Sequence, residues 1–134
     1  HTGSYCLKSA DCCETLNDTN KFCYSAQGHD TARLIAKELN LSRDQYTVCF
    51  QSRLGKEPWV QPYTTDVLKK LAAEGKKRLL VFSPAFVADC LETLYEITAE
   101  YHEEFKALGG EHVQLVESLN DSPVFIEALA GMVK

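Results

Sequence analysis

The sequence is short of positive charge: 14 lysines and arginines stand against 19 aspartates and glutamates, a net charge of −5. No basic stripe runs along any segment, which argues against nucleic acid as the main partner, because such binding rests on neutralising phosphates. Long apolar runs are missing too. The longest fall far below the ~18 residues of a membrane span, so the chain reads as soluble, with peripheral membrane contact still compatible with its composition. The opening HTGSYCLKSADCC has neither a basic n-region nor an apolar h-region, so nothing in it reads as a secretory signal. No internal repeat and no low-complexity tract is present, which excludes repeat architectures. What is left is an ordinary globular composition in 134 residues, room for one domain with a single core.

From Thr31 onward, helix-period and strand-like segments alternate. TARLIAKEL places Ala32, Leu34, Ile35 and Leu39 largely on one helical face, and NLSRDQ makes a polar exit. YTVCF is a β-branched and aromatic run that predicts a buried strand. The loop QSRLGKEPWVQP follows, marked by Gly55, Pro58 and Pro62. In TTDVLKKLAAEG a threonine hydroxyl suits the cap, Asp66 suits the first turn and Gly75 closes the helix. RLLVF predicts a second strand, a long acidic helix spans about Ala88 to Leu108 and stops at Gly109–Gly110, HVQLVESL predicts a third strand, and PVFIEALAGMV a last helix. The order α-β-α-β-α-β-α implies an α/β fold: a parallel sheet of three strands, with helices on both faces and right-handed crossovers. In such sheets the ligand crevice forms from the loops at the strand C-termini. These loops hold Gln51, Ser52, Arg53 and Trp59 after the first strand, Ser83 to Asp89 after the second, and Ser118 to Asp121 after the third.

Along the acidic helix, Asp89, Glu92, Glu96 and Glu100 recur three or four residues apart. Helical neighbours at that spacing lie roughly 5–6 Å apart, so these carboxylates repel one another. Either the stripe is plain solvated surface or a cation belongs on it. Because it starts at the expected crevice, the second reading gains weight.

Three blocks, FQSRLGKEPWVQPYT, AFVADCLETLYE and ESLNDSP, in this order and on these loops, resemble the C-terminal half of ferrochelatase. The resemblance spans about Asp30 to Lys134, leaving residues 1–29 as a cysteine-rich insertion and 30–134 as the chelatase-like domain. It implies an enzyme that inserts Fe²⁺ into protoporphyrin IX with release of two protons. It also implies two similar Rossmann-like halves with the porphyrin between them. Carried over by position, Glu92 matches the glutamate beside the family's catalytic histidine, Asp89 the neighbouring aspartate, and Glu96 and Glu100 a carboxylate line leading away. On that reading the stripe relays pyrrole protons or guides the metal with oxygen ligands, and crowding tunes its pKa values. Trp59 matches a tryptophan of a W-x-x-P loop near the porphyrin, with a loop anchor as its plainer role. Gln51, Ser52 and Arg53 match a Q-S-R/K strand end whose arginine assists a porphyrin carboxylate or ties the loop down. Asn120 reads as a turn residue first and a site residue second.

Two departures stand out. Cys90 occupies a position where some members carry histidine, and the family's S-x-H-G-x-P motif is absent, since His1 is followed by Thr2–Gly3. The chain therefore reads as part of a longer enzyme, not competent alone. Its opening segment concentrates Cys6, Cys12, Cys13 and Cys23 in 18 residues, with gaps of five, none and nine. Two disulfides, a zinc site and an iron–sulfur cluster compete. The spacing matches neither the usual C-x₂₋₄-C zinc pairs nor the common ferredoxin patterns. The resemblance implies the cluster, because some bacterial ferrochelatases look similar, with a four-cysteine [2Fe–2S] loop inserted at this point, and it implies a cytoplasmic enzyme, where disulfides are rare. Cys49 reads as an apolar strand filler, and His102 and His112 as surface histidines. Two rival readings are a cobalt or nickel tetrapyrrole chelatase of the same fold and a non-catalytic iron–sulfur or metal-binding module.

Overall fold

A computed structural model describes residues 11–53, 55–56 and 59–133. Two compact units divide the chain between Val67 and Leu68.

In the first unit, turns through residues 11–22 lead to Cys23, which caps α1 (Tyr24–Glu38). The helix begins seven residues before the periodic stretch that predicts it. Its buried face is built of the small residues Ser25, Ala26 and Ala36, while Leu34 and Leu39, expected on the core face, are exposed. Asn40 ends it in the left-handed region (φ 54°), where Leu41 N–H reaches Ala36 O at 2.8 Å and Asn40 N–H reaches Lys37 O at 3.1 Å. This paired closure satisfies the last carbonyls of the helix.

The expected strand at Tyr46–Phe50 does not form. The run is extended, and among the described residues it pairs through a single parallel bridge, Phe50 with Tyr63. The reason lies in its neighbour. Pro62 has no N–H to offer, and at Thr64 the chain turns directly into α2 (Thr64–Ala73), so the ladder stops after one rung. Cys49 is half-buried there, with the Thr64 hydroxyl 3.5 Å from its sulfur, and burial pushes its thiol pKa up.

The second unit is an α/β layer. Strands β1 (Arg78–Val81) and β2 (His112–Leu115) pair in parallel, Leu79 beside Val113 and Val81 beside Leu115. Between them the chain forms one continuous helical rod of three parts: α3 (Leu91–Tyr95), a π-helical stretch (Glu96–Tyr101) and α4 (His102–Ala107). Period-two alternation turns Leu79, Val81, Val113 and Leu115 to one side, where they meet Leu68 of α2 with Ile97, Tyr101 and Phe105 of the rod. On the other side Leu80 is exposed. The rod ends at Gly109 (φ 93°), and Gly110 lies against the Phe105 ring. Finally α5 (Pro123–Val133) opens on a proline, whose missing N–H costs nothing at a first helical position. No described helix is long and apolar enough to cross a membrane.

Candidate active site

The loops that leave β1 and β2 meet. Asp89, at the end of the first, is held by Asn120 in the second: Asp89 N–H donates to Asn120 Oδ1 at 2.9 Å, and Asn120 Nδ2 donates to Asp89 Oδ2 at 2.8 Å. Ser118 N–H donates to Asp89 Oδ1 at 3.2 Å, and Asn120 N–H donates to Val87 O at 2.8 Å. Hydrogen bonds from Asn120 and then Ser118 favour the charged form and hold the Asp89 carboxyl below the usual carboxylate range. Asn120 adopts a left-handed backbone (φ 48°), which asparagine tolerates better than most residues. Residues 117–122 rim an open depression of about 310 Å³ beside this junction.

Immediately after Asp89 the rod begins. Cys90 is its N-cap, and the fully buried Thr93 reaches back so that its hydroxyl accepts Cys90 N–H at 3.0 Å. Cysteine is an uncommon cap, and here the third helical residue contributes the reverse half of a capping box by accepting the cap residue's own N–H. Glu92 stands in this first turn, exposed.

The rest of the acidic line depends on the π-helical stretch. Thr93, Ile97, Tyr101 and Phe105 are buried and recur every four residues. An α-turn holds 3.6 residues, so each four-residue step would carry the stripe about 40° further around the helix. The i→i+5 turns of the π stretch contain more residues and turn it back. Glu92, Glu96 and Glu100 each precede a buried residue by one, so they follow the same corrected path along the edge of the core face. Glu96, half-buried, accepts a hydrogen bond from Tyr101 Oη at 2.6 Å, an i,i+5 pairing of its own. Glu100 is exposed. Sequence reasoning misses the π stretch, because the period of four in Thr93, Ile97, Tyr101 and Phe105 stands out only once burial separates them from the exposed Leu91, Leu94 and Tyr95.

Among the described residues no group of three His, Cys, Asp or Glu side chains forms a ready metal site, so the line is a path of separate carboxylates and not a cage. His102 plays a structural part. Its Nδ1 lies 3.3 Å from Val113 N and accepts that N–H, while its ring meets His112 edge-on with centroids 5.1 Å apart.

The loop residues of the first unit form their own cluster. Trp59 Nε1 donates to Gln51 O at 3.0 Å, Gln51 Nε2 lies 3.4 Å from Ser52 Oγ, Ser52 has a positive φ of 61°, and the Arg53 guanidinium lies over the Tyr63 ring, 4.6 Å from its centroid. The indole thus ties its loop to the Gln51 backbone.

Of the four cysteines, Cys6 lies outside the described residues. Cys12, Cys13 and Cys23 are free thiols. Two thiolates on one tetrahedral ion at about 2.3 Å stand about 3.8 Å apart. Cys12 Sγ and Cys13 Sγ are 3.9 Å apart, close to that spacing, but among the described residues Cys12, Cys13 and Cys23 do not gather as a three-ligand group. The Cys13 thiol pKa is raised, first by burial, with Cys12 and Cys23 adding to the shift and a hydrogen bond with Ser25 opposing it. Around this segment Asn20 Nδ2 donates to Cys12 O at 2.7 Å and Arg33 Nη1 to Cys13 O at 2.7 Å, which orders the backbone that carries both sulfurs.

Comparison with known proteins agrees on one family. The family model described as Ferrochelatase matches residues 9–134. Proteins named Ferrochelatase are similar along most of the chain: 47% identity over 121 residues in Legionella pneumophila, 47% over 129 in Pseudomonas fluorescens and 49% over 126 in Ectopseudomonas mendocina. These matches cover 90%, 96% and 93% of this chain but 37%, 38% and 37% of the relatives. The chain therefore spans little more than a third of their length.

Proposed function

We propose, from the premise that this chain belongs to the ferrochelatase family, that it is the C-terminal part of an enzyme inserting Fe²⁺ into protoporphyrin IX, with Glu92 at the porphyrin. The observation that carries the proposal is the placement of Glu92. It stands exposed in the first turn of a helix anchored at the junction of two strand-end loops, and further carboxylates lead away from it.

Metal insertion replaces two pyrrole N–H protons by one Fe²⁺, so two protons must leave as the ion enters. Glu92 accepts them one at a time, handing on the first before it takes the second, and Glu96 and Glu100 pass protons to solvent or guide the incoming ion with oxygen ligands. An ion that must be handed on is better served by a row of carboxylates than by a closed cage, which would retain it. Trp59 offers an aromatic face to the macrocycle, while Ser52 and Arg53 serve its carboxylates. The reading carries with it a cytoplasmic location with peripheral membrane contact, where an apolar substrate is received.

Glu92→Gln in the full-length protein tests this. The amide keeps the size but loses the charge and the proton affinity, so metal insertion should fall about 10²-fold or more. Porphyrin binding should change little, because burial supplies most of the affinity of an apolar macrocycle. Near-normal turnover would return the stripe to solvated surface. Running the assay with Fe²⁺, Co²⁺ and Ni²⁺ separates this reading from that of a cobalt or nickel chelatase.

Within the same reading, Cys6, Cys12, Cys13 and Cys23 would hold a [2Fe–2S] cluster, which cross-links the segment and has one-electron redox chemistry. Two of these sulfurs, those of Cys12 and Cys13, lie 3.9 Å apart, and binding would have to draw Cys23 to them. Protein purified without oxygen should be coloured and contain iron and acid-labile sulfide in near-equal amounts, and Cys13→Ser should lose both. A colourless protein with one zinc per chain would favour the zinc site.

A further inference from the structure

We infer that Asn120 is the residue that positions Glu92, acting through Asp89, and that Asp89 serves as the acceptor of this clamp and not as a carrier of protons. The inference rests on the reading of Glu92 given above and names what holds that side chain in place.

The clamp is reciprocal. Both ends of the Asn120 amide are spent on one residue, Oδ1 on Asp89 N–H at 2.9 Å and Nδ2 on Asp89 Oδ2 at 2.8 Å. The other Asp89 oxygen takes Ser118 N–H at 3.2 Å, and Asn120 N–H closes on Val87 O at 2.8 Å. Four hydrogen bonds therefore join the loop after β1 to the loop after β2, across about 30 residues of sequence. Three residues beyond Asp89 comes Glu92, and next to it Thr93, fully buried and bonded to Cys90 N–H. The backbone that carries Glu92 is thus fixed on its N-terminal side by the clamp and on its C-terminal side by the core.

The same geometry removes Asp89 from proton traffic. Each of its oxygens already accepts an N–H, and these bonds are stronger to the charged carboxylate, so a proton added to Asp89 would weaken the clamp. The lowered pKa of the group agrees, since a carboxyl held below its usual range stays charged at neutral pH. Proton movement falls to Glu92 and the glutamates beyond it.

The test exchanges the two side chains in the full-length protein. In Asn120→Asp two carboxylates face each other, and residue 120 loses its side-chain donor. In the double variant Asp89→Asn/Asn120→Asp every bond has a counterpart: Asp at 120 accepts residue 89 N–H and its amide, and Asn at 89 accepts Ser118 N–H. The left-handed backbone at 120 tolerates aspartate as it does asparagine. The charge has moved while the clamp is kept.

Asn120→Asp should lower kcat by about 10-fold to 10²-fold, the scale of a misplaced reacting group, with KM for porphyrin nearly unchanged. The exchanged pair should recover kcat to within about threefold of the parent, far less than the loss it repairs. An exchanged pair that folds, by circular dichroism and melting temperature, yet stays as slow as Asn120→Asp would show that the Asp89 charge itself acts, and would overturn the inference. So would an Asn120→Asp enzyme of parental kcat. Glu92→Gln run alongside keeps the two readings apart: if it turns over normally, the Glu92 role fails, whereas a dead Glu92→Gln beside a normal Asn120→Asp fails the clamp alone.

Discussion

A Cβ built on Gly110 would overlap atoms of the Phe105 ring, and that ring is fully buried. Gly110→Ala therefore forces a core aromatic to move and should cost about 1–3 kcal/mol, the usual range for overpacking. Gly131 is the opposite case, with nothing within 4 Å of its added Cβ, inside α5 and without a positive φ. Gly131→Ala should stabilise the protein by about 0.4–1 kcal/mol, by narrowing the unfolded ensemble. Chemical denaturation of both variants checks the pair, and equal stabilities would show that the Phe105 ring yields freely. Residues of this kind divide by what makes them legible. The dipeptide Gly109–Gly110 reads as a helix stop because left-handed backbone is a local demand. That Gly110 must also be small is invisible until Phe105 is folded against it. Likewise Asn120 reads as a turn residue, which its φ of 48° bears out, but its grip on Asp89 joins residues 31 apart in sequence.

At the scale of elements, the rod from Leu91 to Ala107 shows how a pattern can be read correctly and its helix type still missed. Its acidic and apolar stripes both have a period of four. A regular α-helix does not hold such a period straight, and the π stretch Glu96–Tyr101 does. Deleting the exposed Thr98 would leave Thr93, Ile97, Tyr101 and Phe105 spaced i, i+4, i+7 and i+11, a sound α-helical face. The deletion should therefore be tolerated, with a cooperative melt within a few degrees of the parent, roughly the effect of 1 kcal/mol. Metal insertion should fall about 10-fold or more, because Glu100 shifts by about 1.5 Å along the axis relative to Glu92. Full activity in the deletion variant would mean that the π stretch serves packing alone. The run Tyr46–Phe50 failed for a different reason. Its composition suits a strand, but a strand exists only through a partner, and the Pro62–Thr64 segment beside it supplies one rung.

Over the whole molecule, two compact units lie in a chain that covers little more than a third of its relatives, so the activity tests above belong to the full-length protein. By itself the sequence determined the helices and the two strands of the second unit to within a few residues. Apolar periodicity, caps and glycine stops are local properties, and each segment carries its own. The parallel α/β arrangement was legible too, because strands separated by helices have few other ways to pair. The family could be recognised from three blocks of sequence, and the comparisons bear it out. Only the tertiary structure decided how β1 and β2 register, which side of the sheet the rod covers, and that both oxygens of Asp89 are engaged by the loop after β2. Those are relations between distant residues. Neither partner's local sequence specifies them, because hydrogen bonds and close packing exist only once folding has brought both groups together.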